Sequence, residues 1–357
     1  MKTLRRYIVR EIMLATGMVM LALLMLFAFF DLVEEIKDLG RGAYRMRQIV
    51  QHVALSLPGH VYEIFPIAAL IGSLFALAQL VASSEYTVMR TSGMSVTRMV
   101  GVLMGAGLLF GALTFVFGEY IGPASEQWAQ RIRARAITGI IVQEFRSGLW
   151  LKDDRSFINV REVTEDGQLK DVRIYEFDDA LRLRTVRAAK SGVYRGEHRW
   201  LLSGVEQTSI GEVRTEVSKM PSADWSSVLE PRLFNVLMVK PAQMSAASLS
   251  SYAQHLRENR QKSLRYEIAL WAKITYPLAV LTMMLLALPF AYFQRRQGGV
   301  GGRIFAGIML GLAFYLLNQL SAHLGLLNEW PPQASALAPT AVFLCLALAM
   351  LWRQERR

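Results

Sequence analysis

"IFPIAALIGSLFALAQLVASSEYTVMRTSGMSVTRMVGVLMGAGLLFGALTFVF", residues 64–117, decides the fold. It holds two uncharged apolar runs, Ile64 to Ala82 and Met99 to Phe117, around a polar stretch, SSEYTVMRTSGMS, at 83–95. Each run is close to the roughly 20 residues that a helix needs to cross about 30 Å of hydrocarbon. Working outward, runs of the same kind recur at Ile12 to Phe30, Ile274 to Phe293, Ile304 to Ala322 and Ala334 to Trp352. The sequence therefore predicts six transmembrane helices. A chain of 357 residues that is 53% hydrophobic, with positive mean hydropathy and a formal charge of +11, falls outside the class of soluble enzymes.

Lys2, Arg5, Arg6 and Arg10 precede the first run, but that run is too long for a signal h-region and no small-x-small cleavage site follows it, so it reads as an uncleaved anchor. Short connections rich in Lys and Arg favour the cytoplasm. Arg90, Arg98, Arg295, Arg296, Arg303, Arg353, Arg356 and Arg357 fall on the side of the N-terminus, which makes both termini and the 83–95 stretch cytoplasmic. The positive charge is thus a topology signal, and no basic-aromatic module for nucleic acid accompanies it. Cys345, inside the sixth span, is the one cysteine, which excludes an intrachain disulfide and a cysteine-rich metal site.

The stretch at 83–95 carries helix signals at both ends. Ser83 or Ser84 offers an N-cap, Glu85 puts negative charge in the first turn, Gly93 supplies a stop and Ser95 can cap the next span. The expected helix, about 84–93, places Tyr86, Met89, Arg90 and Gly93 on one face. So short a helix is marginal alone. Either the membrane surface or another protein holds it.

Between the two groups of three spans lies a polar insert, large enough for a domain of its own. The expected organisation is 1–117 for spans one to three, 118–273 for a β domain and 274–357 for spans four to six. FINVREV, DVRIYEF and RWLLSGVEQ read as strands, with Val172 and Ile174 on one face and Tyr175 and Phe177 on the other. Turn clusters KDDRS, TEDGQ, FDDA and RGEH separate them at the spacing of an antiparallel sandwich or jelly roll. A leading helix is expected to begin at Pro123 and Ser125, with Arg131 and Arg135 on one face, and a returning helix is expected behind Ser248.

No catalytic signature is present: the five histidines are dispersed, and neither H-E-x-x-H nor G-x-S-x-G occurs. QGGVGGR, 297–303, lacks the Lys-Ser/Thr pair of a phosphate loop and reads as a flexible inner-surface loop. Gln79, Asn318 and Gln319 are the most polar residues inside the apolar runs, which argues against a membrane-embedded hydrolase. Glycines four apart, Gly101 and Gly105, Gly107 and Gly111, and Gly307 and Gly311, let helices approach closely, within the chain or with a second subunit. Lys37, Arg41, Arg45, Arg47, Arg131, Arg133 and Arg135 lie on the side where basic residues are usually thinned out. They suit an anionic headgroup; equally, Asp31, Glu34, Glu35 and Asp38 are near enough in sequence to pair with them.

SSEYTVMRTSGMS behind LPGHVYEIFPIAALIGSLFALAQL, VEEIKDLGRGAY after the first span, GEYIGPASEQWAQRIRARA after the third and GLWLKDDRSFI at the head of the β domain together resemble the lipopolysaccharide-export permeases of the LptF/LptG family. The resemblance covers nearly the whole chain. It implies a six-span membrane protein with a periplasmic β-jellyroll in the bacterial inner membrane. It also implies a heterodimer with an LptF-type permease, two copies of the cytosolic ATPase LptB, and delivery of lipopolysaccharide to LptC and LptA. No cofactor is expected in this chain, because ATP and magnesium would be bound by that ATPase. By the same resemblance the short helix is a coupling helix, with Glu85, Met89, Arg90 and Gly93 at the contact, and Lys37 and Arg133 match basic positions near the lipid cavity. The competing reading is a membrane docking protein that uses its β domain without transport.

Overall fold

The computed structural model describes residues 2–137, 149–153, 156–164, 167–178, 180, 182–196, 198–211, 214–227, 240–259, 261–293 and 300–355. Six helices among them are long and apolar enough to cross a membrane. The first two are α1 (Lys2–Ile36) and α2 (Met46–Ala82), followed by the short α3 (Glu85–Thr91). The third span is α4 (Val96–Val116), which passes through a π-helical segment (Phe117–Ile121) into α5 (Gly122–Ile137). After the β domain come α6 (Ala246–Glu258), α7 (Leu264–Phe293), α8 (Val300–Leu327) and α9 (Pro332–Glu355).

α2 is the hub, packing against α1, α5, α7 and α8. Of its apolar window 78% is buried, against 17% for α1 and 22% for α8, so those two spans turn most of their surface outward. In lipid the close fit of backbones, rather than release of water, holds helices together. At Gly72 of α2 a Cβ would lie 2.4 Å from Thr16 Cα of α1, so only glycine permits that crossing. α2 is interrupted in sequence by Pro58 and Pro66 but not in structure, since neighbouring helices tolerate prolines within spans.

Three local expectations are corrected. The leading helix does not start at Pro123 but continues the third span. Proline lacks an N–H and its ring crowds the carbonyl four residues back. The wider π turn, with Gly122 N–H bonded to the Phe117 carbonyl, makes room for it. The returning helix α6 is capped by Ser245 rather than Ser248, the Ser245 Oγ accepting from Ser248 N at 3.1 Å. The glycine-rich stretch is helical where it is described: Val300, Gly301 and Gly302 belong to α8, while 297–299 lie outside the described residues. Arg295, Arg296, Arg356 and Arg357, used above for orientation, also lie outside the described residues.

The β domain contains six described strands, β1 (Leu149–Asp153), β2 (Ser156–Val163), β3 (Leu169–Phe177), β4 (Leu183–Gly196), β5 (Arg199–Ile210) and β6 (Thr215–Ser226). They form one antiparallel sheet in sequential order, so among the described strands each pairs with its neighbours in sequence and none crosses over as in a jelly roll. The turn clusters fall at the strand junctions but overlap the strands themselves: Lys152 and Asp153 close β1, Ser156 opens β2, Phe177 closes β3, and Arg195 and Gly196 close β4. Val172 and Ile174 are buried without exposure, together with Ile158, Trp200 and Leu202. Burying a large apolar side chain of this kind contributes about 1.5–3 kcal/mol. Pro221 sits within β6, which is tolerable because β6 is an edge strand of the described sheet.

Candidate functional site

At the end of the bundle away from the β domain, the short helix begins at Glu85, as its first-turn charge suggests, but without the expected serine cap. Ser84 takes a left-handed conformation (φ 63°) and caps nothing with its side chain. Ser83 Oγ instead donates to Glu85 Oε1 at 3.1 Å, while the Tyr7 hydroxyl of α1 donates to Glu85 Oε2 at 2.9 Å. Gly93 is the stop, with φ +89°, and Ser95 caps the third span by accepting from Arg98 N. Met89 is buried in the main helical core, with Tyr86 packed against that core. The predicted common face is therefore divided: Met89 points inward, whereas Arg90 is exposed and Val88 is 63% exposed beside it. The helix is seated on its own bundle by Met89, Tyr86 and Glu85, and it presents Val88 and Arg90 outward.

At the β-domain end, the turn between α1 and α2 is strapped to α5. Ala43 N donates to the Ala136 carbonyl at 2.7 Å, and Gly42 lies so close that a Cβ would sit 2.4 Å from the Ile137 carbonyl oxygen. This contact brings Glu35 of α1 and Asp38 of the turn to Arg133 of α5. Arg133 donates to Asp38 at 2.6 Å, and its Nε lies 3.2 Å from Glu35, an ion pair without hydrogen-bond alignment. Arg41 pairs with the other oxygen of Asp38. The fully buried Tyr44 donates to Glu35 at 2.7 Å, and burial with that carboxylate beside it raises the phenol well above its ordinary range. His52 bonds the Ala129 carbonyl through Nδ1 at 3.0 Å and faces Glu35 with its other nitrogen at 3.6 Å.

The ion-pair reading of the basic residues thus holds for Arg41 and Arg133. Lys37 is exposed and Arg131 half-exposed, and no ion pair involves either among the described residues, which leaves them as cations able to meet an anion. Arg135 lies exposed one turn beyond Arg131, and Arg45 donates its backbone N–H to Gln48 at the start of α2. Slightly deeper, His60 of α2 bonds Asp31 of α1 at 2.7 Å. No group of three or more His, Cys, Asp or Glu placed to hold a metal ion exists among the described residues.

The glycine pairs resolve as intrachain contacts on the faces where a neighbour is close. A Cβ at Gly307 or Gly311 of α8 would meet Leu74 or Ile67 of α2 at 2.8 Å, and one at Gly107 would meet Leu281 of α7 at 2.8 Å. Gly101 faces open space. Sequence reasoning missed Tyr44, His52, Glu119 and Lys273. The signal for Glu119 is its place in GEYIGP, and Lys273 stands directly before the apolar run that begins at Ile274, where a basic residue is ordinary.

Six membrane-length helices, an inserted antiparallel β domain and a short helix at the opposite end define a polytopic membrane protein built as two three-span halves on either side of a β module. Over residues 6–353 the sequence matches the model of a protein family described as lipopolysaccharide export system permease LptF/LptG, and the chain belongs to that family. It is 33% identical over 354 residues to the lipopolysaccharide export system permease protein LptG of Escherichia coli K12, covering 99% of this chain and 98% of that protein. It is 32% identical over 354 residues to the LptG of Haemophilus influenzae, covering 99% of each.

Proposed function

We propose that this chain is a permease subunit that moves lipopolysaccharide out of the bacterial inner membrane toward the outer membrane, as the membrane half of an ATP-driven transporter. The observation that carries this reading is kinship with LptG proteins along essentially the whole chain. Both termini and α3 are cytoplasmic, and the β domain is periplasmic.

In this reading the chain pairs with an LptF-type permease. The outward-turned α1 and α8 are the surfaces for that partner, since they are the two spans least enclosed by their own chain. Lys37 and Arg131 meet the anionic headgroup, and Arg133 joins them if its carboxylate partners yield. Energy enters from a separate LptB-type ATPase, which binds the ATP and magnesium and seats on α3, and lipid leaves through LptC and LptA. A nucleotide can shift a conformational equilibrium only through contacts that differ between its two states. Among the described residues, α3 at that end of the bundle has an exposed face, Val88 and Arg90, and an anchored one.

The test is purification of the tagged chain from its own membranes in mild detergent, with mass spectrometry of the proteins and lipids that accompany it. A second six-span permease, an ATPase and bound lipopolysaccharide are expected. Absence of any ATPase, under conditions that keep other membrane complexes whole, would favour the docking-protein reading. Glu85→Ala should leave the chain inserted and lower transport by tenfold or more, roughly the effect of losing a charged hydrogen-bond partner. Normal transport with that substitution would remove Glu85 from the coupling path.

A further inference from the structure

The GEYIGP motif has no part in the reading above, yet it sits at a mechanical junction. α4, the π segment and α5 make one continuous helix from Val96 to Ile137, 42 residues, or about 63 Å at about 1.5 Å per residue. It starts directly behind α3 and ends on the approach to β1. Glu119 lies in its π segment. One carboxylate oxygen accepts the Ala246 N–H at 2.7 Å and the other the Ala247 N–H at 3.3 Å, across 127 and 128 residues of sequence. These are the first two residues of α6, whose free N–H groups and positive dipole end favour a carboxylate. The next cap is local, from Ser245 to Ser248.

Met244, two residues before α6, is held from the other side. Lys273 of α7, only 7% exposed, donates its ammonium to the Met244 carbonyl and lies 5.3 Å from the centre of the Tyr62 ring. A lysine so buried needs such partners. Tyr62 in turn packs on Tyr276, ring centres 4.7 Å apart, and Tyr276 donates to the Glu63 carbonyl at 2.6 Å. Gly118, beside Glu119, is pressed against Tyr62, where a Cβ would come within 2.6 Å. Residues 244–247, where the chain returns from the β domain, are therefore gripped between the third span and the fourth.

We propose that Glu119 and Lys273 are positioning residues that clamp the return connection of the β domain to the same helix that leads into it, so that the β domain follows the third span when α3 is displaced. This rests on the permease reading, because it assigns to the clamp the delivery of motion from the ATPase side to the lipid-receiving domain. Without the clamp the leading connection moves and the returning one lags. The nucleotide cycle then runs without driving the β domain.

The experiment uses the complete transporter reconstituted in liposomes, with spin labels at Trp128→Cys on α5 and Val217→Cys on β6, both exposed positions, in a Cys345→Ala background. The intact clamp should give one narrow distance distribution that persists through nucleotide binding. Glu119→Ala should broaden it and lower lipid release by about tenfold while the ATPase rate and subunit composition stay within twofold, a split that a general folding defect does not produce. Glu119→Gln, which keeps an acceptor for one of the two N–H groups, should fall between, and Lys273→Met should resemble Glu119→Ala. An unchanged distribution with undiminished release in Glu119→Ala overturns the proposal. Absence of ATP-dependent release from the unsubstituted complex would instead overturn the permease reading, and the distance distributions would still decide whether the clamp exists.

Discussion

At Gly42 one hydrogen atom in place of a methyl group decides whether the α1–α2 turn can lie against α5. Its φ of +58° is a left-handed conformation, and a Cβ there would collide with the carbonyl oxygens of Ile137 and Ala136. Gly42→Ala should therefore cost at least about 1–3 kcal/mol of local strain and loosen the Arg133, Glu35 and Asp38 pairing that the turn brings together. Limited proteolysis at the turn and thermal unfolding in detergent will report it, and an unchanged cleavage rate would show that the turn relaxes freely. Individual charges were legible in the sequence, but which of them face each other was not. Arg133 and Asp38 are 95 residues apart, and only the strapped turn sets them 2.6 Å from one another. Met89 misled for a related reason: its helical spacing fixed its neighbours on α3 but not which face the bundle would bury.

At the scale of elements, the spans were readable because an uncharged run has few alternatives in a chain of this composition. Their ends were not. α1, α2 and α7 extend well beyond their apolar runs, since polar turns continue as helix wherever another helix lies alongside. The same limit hid β4 and β6, whose many charged and polar residues face outward while their partners supply the core. Packing between elements gives a clean contrast. Gly311→Leu should strain the contact of α8 with α2 by about 1–3 kcal/mol, as overpacking does. Gly101→Leu, facing open space, should leave the isolated chain unaffected. Thermal unfolding of the purified chain separates the two. Equal destabilisation by both would mean that Gly101 too is covered by a neighbouring helix.

At the scale of the whole molecule, burial is uneven: the fourth span is half enclosed, whereas the first and fifth are largely bare. Single cysteines at Leu21 on α1 or Leu316 on α8, in a Cys345→Ala background, should cross-link to a second membrane subunit in native membranes, and one at the comparably exposed Leu348 on α9 should not. Cross-linking from all three positions alike would place the partner elsewhere. What no single sequence could convey at this scale is how the bundle holds residues 244–247, where the chain returns to it. Glu119 and Ala246 belong to different halves of the chain, and neither carries a local signature of the other.

The sequential order of the six strands also bears on how the protein is made. Each described strand closes on the one just before it, through turns of a few residues, so the sheet requires no pairing with chain that has yet to be synthesised. A newly made insert of this kind is free to acquire its hydrogen-bonded ladder while the last three spans are still being synthesised. It need not wait, unpaired and sticky at both edges, for the second half of the bundle to arrive. The ladder's shape is local business; only its attachment is long-range.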